Sequence, residues 1–289
     1  MARYLLRRLL FAAVLVLVVA SSSLWLTRLA PGDMTTEAAL ETDAAGRAAL
    51  RARYGLDQPV LTQYVGWLRR AATLDLGASL LYGRPVTELV GERAVNTAVL
   101  AVAALVVATC VGLPLGVFTG SRRGGVVPGL VRASSIVCLS MPPLLMSLVL
   151  VFVAARTGWL PIGGMSSIGA SGTSVLARLL DVLWHVPLPA LALALPLAAT
   201  LERLQAQAIA DTLGEPFVVA GLARGLTRSH VISHHAWRVS LRPIAGVYGV
   251  VIGSLLGGSF IVEIVTAWPG LGRLMYDALR ARDAFLVAG

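Results

Sequence analysis

The chain has 289 residues, of which 57% are hydrophobic and only 13% are charged. Soluble domains carry about 25% charged residues, so this composition excludes a water-soluble protein, and the high apolar content excludes a disordered one. An integral membrane protein remains. The net charge is +9, and every basic residue apart from the four histidines is an arginine. Basic residues of membrane proteins collect on the cytoplasmic side, so we interpret this charge as a signal of orientation and not of nucleic-acid binding.

Five apolar stretches are long enough, at about 20 residues, to cross a bilayer. They cover residues 9–26, 96–120, 131–155, 187–208 and 244–265. The first follows three arginines and lacks a clean cleavage site. We interpret it as an uncleaved helix with a cytoplasmic N-terminus, although a signal peptide has the same basic start. Arginines in the loops after the second and fourth spans agree with this orientation and place Gly289 outside.

The segment between the first two spans, residues 27–95, predicts a small helical extracytoplasmic domain. Residues 35–54 are polar and rich in helix formers, and Gly55 is a stop signal. Asp57 and Pro59 then predict the start of another helix. Its apolar residues recur at helical spacing and form one stripe, consisting of Val60, Tyr64, Trp67 and Leu68. A further helix start at residues 85–93 leads into the second span.

Two spans carry glycines at every fourth residue, which places them on one helix face. The rows are Gly112, Gly116 and Gly120 in the second span, and Gly249, Gly253 and Gly257 in the fifth. Such faces allow helix backbones to approach closely, so both rows predict helix packing. The alternative is that these are glycines of the kind that occur often in membrane helices.

Candidate catalytic and metal-binding groups are few. The spacing of His230, His234 and His235 resembles one histidine box of membrane di-iron enzymes, but four histidines in the whole chain cannot ligate two irons. A single metal site there is the alternative to a solvated helix. A chain without lysine cannot carry the G-x4-G-K-[ST] phosphate-binding loop. Glu202 and Glu263 lie near the ends of spans, where we expect each to reach the interface. We therefore predict a protein that is not an enzyme and holds no cofactor or metal.

The polar stretch between the fourth and fifth spans, residues 211–243, predicts a helical hairpin. Glu215 and Pro216 begin a short apolar helix that Gly225 ends. A second helix, from about residue 228 to 241, then returns to the membrane at Pro243. A short apolar helix that projects into the cytoplasm indicates docking into a groove of a soluble partner. The alternative is a hairpin that lies on the bilayer surface.

This hairpin resembles the EAA loop of the permease subunits of ABC importers, most closely those of the dipeptide, oligopeptide and nickel group. The motif consists of a small-residue pair, a glycine four residues later and a more distant proline, matched here by Ala220, Gly221, Gly225 and Pro243. Val219 stands where the motif has a glutamate, and Arg242 where an apolar residue is usual. Other motifs of the family follow in order at residues 30–33, 54–59, 83–86, 96–97, 158–161, 188–191, 268–272 and 282–283.

The resemblance implies an all-α, polytopic membrane bundle of the type I importer kind in the inner membrane. It implies a second related permease subunit, two ATP-binding subunits and an extracytoplasmic substrate-binding protein as partners. The ATPase-coupling residues it implies are Glu215, Phe217, Ala220, Gly221, Arg224 and Gly225. The expected organisation is an N-terminal transmembrane helix to residue 26, the outer segment 27–95, and a transporter domain 96–289. The family has a sixth span after residues 282–283, which this sequence would lack because it ends at residue 289.

Peptide import is therefore the first hypothesis, and two alternatives stay open. A nickel or opine importer shares every motif named above. A secondary transporter or a membrane assembly factor with a docking hairpin is the alternative from another class. A requirement for co-expressed ATPases separates these classes. Selectivity in such importers resides largely in the binding protein, so the sequence does not name the substrate.

Overall fold

The computed structural model describes residues 2–29, 59–73, 75–122, 124–167 and 174–289. Its helices are α1 (Ala2–Leu29), α2 (Val60–Ala71), α3 (Val86–Gly120), α4 (Val126–Ser140), α5 (Pro143–Thr157), α6 (Val175–His185), α7 (Pro187–Thr212), α8 (Pro216–Ala223), α9 (Arg228–His230), α10 (Trp237–Val265), α11 (Leu271–Arg280) and α12 (Ala284–Ala288). The predicted helix over residues 35–54, Gly55 and Asp57 lie outside the described residues. Within the described part of the chain the extended pairing is an isolated bridge between Ala78 and Pro85, which confirms the all-α prediction.

Four segments among the described residues are long and apolar enough to cross a membrane. They are Arg3–Ser23, Val86–Gly120, Pro187–Thr212 and Arg228–Val265, and they coincide with the predicted first, second, fourth and fifth spans. The predicted third span, residues 131–155, is wrong as a continuous helix. It consists of α4 and α5, which are bent by 110° with respect to each other.

Two consecutive prolines cause this break. Met141 precedes Pro142 and has an extended backbone, with φ −87° and ψ 119°. A proline disfavours helical geometry in the residue before it, and its ring removes a helical N–H donor. Pro143 then begins α5, a position where a proline is well tolerated. Each half has 15 residues, or about 22 Å of helix, which is shorter than the hydrocarbon core.

The chain divides into two compact units, residues 1–95 with 273–289, and residues 96–272. In the first unit three residues of the predicted apolar stripe of α2 face a small core, as their spacing predicts, and the side chain of Val60 lies outside the described part of the structure. Trp67 is buried there, and Tyr64 and Leu68 pack at the edge of the same cluster. The other buried members come from α3, α11 and α12, and include Val86, Leu89, Leu274, Ala278 and Phe285.

A buried carboxylate holds the C-terminal residues of this unit in place. Asp283 is fully buried and caps α12, where Oδ1 accepts a hydrogen bond from Leu286 N (3.2 Å). Its Oδ2 accepts from Ser79 Oγ (2.7 Å), Leu80 N (2.7 Å) and Leu81 N (3.1 Å). The bonds of Oδ2 join chain segments that are about 200 residues apart, so Asp283, the acidic residue of the motif at 282–283, has a structural role.

We expect Asp283→Asn to destabilise the first unit by about 1–3 kcal/mol, because an amide nitrogen would replace one acceptor and leave buried donors unpaired. The measurement is amide hydrogen exchange at Leu80, Leu81 and Leu286 in the purified full chain. Asp277→Asn is the matched control, since Asp277 accepts a 3.3 Å bond from Tyr82 Oη at the surface. Equal exchange rates in the two variants would contradict this role.

The second unit is built around α7. This helix buries residues along most of its length, and its apolar face shares one core with α3 and α10. The buried members include Leu100, Ala104 and Ala108 on α3, Ala190, Leu193, Ala194 and Leu201 on α7, and Ile244, Val251, Leu255 and Val262 on α10. α7 is therefore the central helix of this unit.

The glycine row of α3 lies directly against α7. A Cβ atom at Gly112 would lie 2.6 Å from Ala198 O, and one at Gly116 would lie 2.6 Å from Glu202 O. At Gly120 the carbonyl oxygen of Ala206 would be closer still. Residue numbers increase in the same direction along both helices, from Gly112 beside Ala198 to Gly120 beside Ala206, so α3 and α7 run parallel. If two helices cross the membrane in the same direction, the chain between them must return across it. In this protein the chain between α3 and α7 contains the bent α4–α5 pair.

The glycine row of α10 differs from the sequence expectation. A Cβ atom at Gly249, Gly253 or Gly257 would meet no described heavy atom within 4 Å, so these residues do not form a packing face within the described part of this chain. The reason is helical phase. The core-facing residues Ile244, Val251 and Leu255 lie on the opposite side of α10 from the glycines.

Candidate functional site

The hairpin between α7 and α10 contains all of the residues that sequence analysis assigned to coupling. Glu215 lies at the N-cap of α8, with an extended backbone and no side-chain capping bond, and Pro216 is the first helical residue. Phe217, Ala220 and Gly221 lie on α8, and Arg224 is its C-cap. The helix therefore begins and ends where the sequence predicts.

The turn of the hairpin depends on the backbone of Gly225. Its φ is +88°, in the left-handed region that favours glycine. This conformation lets Gly225 N donate to Leu222 O (3.0 Å) and Leu226 N donate to Gly221 O (3.2 Å), which satisfies two carbonyls of the last turn of α8. Thr227 then caps α9 by accepting a hydrogen bond from His230 N (3.4 Å). Two short-range signals, a glycine and a threonine cap, fix the sharp reversal.

The two arms of the hairpin pack against each other through small and branched residues. Val218 and Val231 are buried, and a Cβ atom at Gly221 would lie 3.5 Å from Val231 Cγ2. Arg228 Nη2 also donates to Ser121 O (3.1 Å), which joins the second arm to the chain after α3. A cavity of about 570 Å³ lies beside this contact, lined by residues that include Ser121, Leu213, Val218 and Val231. The hairpin is thus held against the body of the second unit.

The outer surface of α8 is apolar and exposed. Phe217 is 41% exposed and Val219 is 60% exposed, and Leu222 and Leu226 are exposed as well. Glu215, Ala220, Arg224 and Gly225 are exposed as well, whereas Gly221 is half-buried between the arms. An eight-residue helix that displays large apolar side chains in this way is suited to a groove on another protein.

The second arm does not end at Pro243, which differs from the sequence expectation. α9, a π-helical turn (Val231–Ala236) and α10 form one helical run, and Pro243 lies inside α10. A proline is tolerated inside a membrane helix when neighbouring groups compensate for its missing donor. As a result, the hairpin is continuous with a membrane span, and a displacement of its second arm is a displacement of α10.

A buried polar cluster lies beneath the hairpin, and sequence analysis missed it. Thr119 Oγ1 donates to Glu202 Oε1, and Gln205 Nε2 donates to Ser240 Oγ (2.7 Å). All four side chains are buried, so the expectation that Glu202 reaches the interface is wrong. Glu202 Oε2 and Gln205 Oε1 have no hydrogen-bond partner among the described residues. The cluster ties α3, α7 and α10 together, and the signal that could have found it is the i, i+3 pair of polar residues on the buried face of α7.

Another buried carboxylate, Glu263, lies near the opposite end of α10. Glu263 is fully buried, so the expectation that it reaches the interface is also wrong. Its oxygens accept from Thr97 Oγ1 (2.8 Å) and Gly272 N (2.6 Å). Thr97 Oγ1 accepts in turn from Leu271 N (2.8 Å), and Trp268 Nε1 donates to Asn96 O (3.0 Å). The motifs at residues 96–97 and 268–272 therefore meet in space and form one anchor.

The three clustered histidines contact one another on the exposed side of the second arm. The rings of His230 and His234 stack with centroids 4.3 Å apart, and His235 lies edge-on at 5.9 Å from His230. Ser233 Oγ and His234 Nδ1 are within hydrogen-bonding distance (2.8 Å). In the part of the chain that the structure describes, no group of three or more His, Cys, Asp or Glu side chains is arranged to hold a metal ion.

These features define an α-helical, integral multi-pass membrane protein with a hairpin that displays an apolar helix. A sequence model of the family described as "binding-protein-dependent transport system inner membrane component" matches residues 112–288. A second model, for the N-terminal part of such membrane components, matches residues 1–98. Together they cover almost the whole chain.

Individual relatives agree with this match. The oligopeptide transport system permease protein AppB of Bacillus subtilis is 31% identical over 286 residues, which cover 98% of this chain and 89% of that protein. A putative peptide permease protein of Brucella suis is 32% identical over 294 residues, covering 100% and 91%. The glutathione transport system permease protein GsiC of Pectobacterium atrosepticum is 32% identical over 285 residues, covering 98% and 88%.

The chain belongs to the family of binding-protein-dependent transport system inner membrane components, the permease subunits of ABC importers. The resemblance found in the sequence is thereby confirmed, as is the prediction of a transport subunit that is not itself an enzyme. A secondary transporter or an assembly factor does not fit this family.

Proposed function

We propose that this chain is one of two related permease subunits that form the substrate pathway of an ATP-driven peptide importer. In this proposal the hairpin of α8, Gly225 and α9 is the docking element for an ATP-binding subunit. Two such subunits serve the permease pair, and an extracytoplasmic binding protein delivers the substrate. The family match supports the general role, and the exposed apolar surface of α8 supports the docking role.

The observation that carries the coupling proposal is the continuity of the hairpin with the membrane span. Closure of ATPase subunits on α8 would displace the second arm, which runs without interruption into α10. The hydrogen bond between Gln205 and Ser240 would pass this displacement to α7. A rigid connection of this kind transmits movement because packed helices shift as units instead of deforming.

Peptides are the proposed substrates because the relatives named above are described as oligopeptide, peptide and glutathione permeases. The orientation we propose places the N-terminus and the hairpin in the cytoplasm. Its support is the concentration of arginines near these segments, including Arg7, Arg122, Arg132, Arg224 and Arg228. The proposed organisation is a transmembrane helix to residue 26, an extracytoplasmic segment 27–95 and a transporter domain 96–289 with its coupling loop at 211–243.

The docking proposal is tested by co-purification of the permease pair with its ATP-binding subunits. We expect Phe217→Asp to abolish co-purification and ATP-dependent peptide uptake, because a desolvated carboxylate would replace an apolar anchor. Leu279→Asp on α11 is the matched control, since Leu279 has a similar exposure of 46% outside the hairpin and its replacement should leave docking intact. Normal ATPase binding by the Phe217 variant would contradict the proposal.

The substrate proposal is tested separately with the co-expressed system in vesicles. We expect uptake of short peptides that requires ATP and the binding protein. Uptake of nickel ions or of opines, with no uptake of peptides, would contradict peptide import while leaving the coupling role intact. Mass spectrometry of molecules that co-purify with the binding protein identifies the peptide length.

A further inference from the structure

Helix α6 has an inverted arrangement of polar and apolar faces. The polar face carries Asp181, which is half-buried, and His185, which is buried against the protein, while Arg178 on the same face is exposed. The outward face carries large apolar side chains at i, i+3, i+4, i+7 and i+8, namely Leu176, Leu179, Leu180, Leu183 and Trp184, all between 56% and 67% exposed. A helix on a water-exposed surface has the opposite arrangement, with the apolar face inside.

Specific contacts hold the polar face toward the protein. Ser167 Oγ and Ser167 N each donate to the Asp181 carboxylate at 2.7 Å. His185 Nδ1 lies 2.7 Å from Asp181 O. The bonds from Ser167 and the burial of His185 therefore define which side of α6 faces the protein, and the leucines lie on the other side.

The position of α6 along the membrane normal follows from α7. Arg203 lines a cavity together with Arg122 and Arg132, and a cluster of three arginines belongs at the level of the lipid headgroups on one side. From Arg203 back to the start of α7 at Pro187 is about 24 Å of helix, and the hydrocarbon core is about 30 Å thick. About 6 Å of hydrocarbon therefore remains beyond Pro187. Only Val186 separates α6 from α7, so α6 lies within this outer layer.

We propose that α6 is a helix that lies parallel to the membrane plane, with its apolar face in the acyl chains at the extracytoplasmic boundary of the membrane that α7 crosses. This face consists of Leu176, Leu179, Leu180, Leu183 and Trp184. Interfacial helices bury their apolar faces to depths of about 5–10 Å, which matches the depth derived from α7. Trp184, at the end nearest the span, has the side chain that is enriched at this level of a bilayer. The outward face contains no charged residue, whereas the surfaces that proteins use to bind one another in water carry a polar rim.

Two features favour lipid as the occupant over another protein. The apolar face of α6 is continuous along the chain with α7, a helix that itself crosses the membrane. An 11-residue helix is about 16 Å long and cannot cross the core, so a position parallel to the membrane plane is the one that places all five side chains in lipid at once. Anchoring of α6 in the membrane plane would also hold the N-terminal end of α7 in place, and this end contributes Ala190 and Leu193 to the core of the second unit. The proposal does not depend on the substrate or on ATPase docking.

Site-directed spin labelling tests this proposal in the full chain, co-purified with its partner subunits and reconstituted into lipid vesicles. Cys110 and Cys138 are first replaced by serine, and single cysteines are then placed at Leu179 or Leu183. Val16→Cys on the first span serves as the lipid reference, since its side chain is exposed within an apolar helix. Glu88→Cys serves as the aqueous reference, since Glu88 is exposed and pairs with Arg84.

We expect labels at 179 and 183 to collide more often with oxygen than with the polar nickel complex Ni-EDDA, as at position 16. The label at 88 should show the reverse. A preference for Ni-EDDA at 179 and 183 would place this face in water and overturn the proposal. Protection from both reagents would mean that a protein covers the face, and would overturn it too. Repeating the measurement without the partner subunits identifies whether one of them provides such a cover.

Discussion

Replacing Gly225 with valine is expected to abolish transport while the protein still inserts into the membrane. The backbone of Gly225 has φ +88°, and a side chain with a branched Cβ is strongly disfavoured in this region. The cost is at least about 1–2 kcal/mol at the turn. Relief of that strain requires loss of the hydrogen bond from Leu226 N to Gly221 O, which would reorient α8. Peptide uptake and substrate-stimulated ATPase activity of the reconstituted importer provide the measurement.

Gly225→Asn is the control for this prediction. Asparagine adopts positive φ more readily than other non-glycine residues, so this variant should retain most of the coupling. The space around Gly225 is open, with no described heavy atom within 4 Å of the position that a Cβ atom would take, so side-chain size alone does not explain a loss. If the valine variant showed normal substrate-stimulated ATPase activity, the assignment of the hairpin as the coupling element would be wrong.

Replacing Gly116 with a larger residue is expected to destabilise the folded protein, so that less of it accumulates in the membrane. Gly116→Ala places a Cβ atom 2.6 Å from the backbone oxygen of Glu202, which a rigid helix cannot avoid. Overpacking of this kind typically costs about 1–3 kcal/mol, and Gly116→Leu should cost more because the whole side chain enters α7. The spacing between α3 and α7 must then increase, and that also pulls Thr119 away from Glu202. Thermal stability of the detergent-purified chain, followed by size-exclusion chromatography, provides the measurement.

Gly129 on α4 offers the matched control. No described heavy atom lies within 4 Å of the place where its Cβ atom would be, and the residue is inside a helix. Gly129→Ala should therefore be neutral or stabilise α4 by up to about 1 kcal/mol. Equal losses in the two alanine variants would show that the close contact between α3 and α7 does not limit stability.

The first helix of the hairpin, α8, was predictable because its limits are set by local chemistry. Pro216 supplies the fixed φ of a first helical residue, and Gly225 supplies the positive φ of a helix end. The break at Pro142 and Pro143 depends on equally local chemistry, but the surrounding apolar composition obscured it. A window of about 20 apolar residues predicts a span whether or not a proline pair divides it.

The burial of Glu202 and Glu263 was not predictable from their positions along the spans. Both residues lie near the ends of the spans that the sequence predicts, where a side chain can reach water if its face is open. In the structure Glu263 is near the end of α10, whereas Glu202 is well inside α7. Their faces are closed, because Thr119 and Thr97 on the neighbouring α3 provide hydrogen bonds instead. The partner of a buried polar group depends on which helix lies beside it, and periodicity along a single helix does not specify that neighbour.

The sequence by itself determined the class of the protein, four of the five predicted spans and the limits of α8, because composition and turn chemistry act over a few residues. The tertiary structure alone decided that the glycines of α3 pack against α7 while those of α10 face away. It also decided that α6 turns its leucines outward. Each of these outcomes depends on the neighbour that occupies a helix face, and helices far apart in the sequence become neighbours only when the chain is folded.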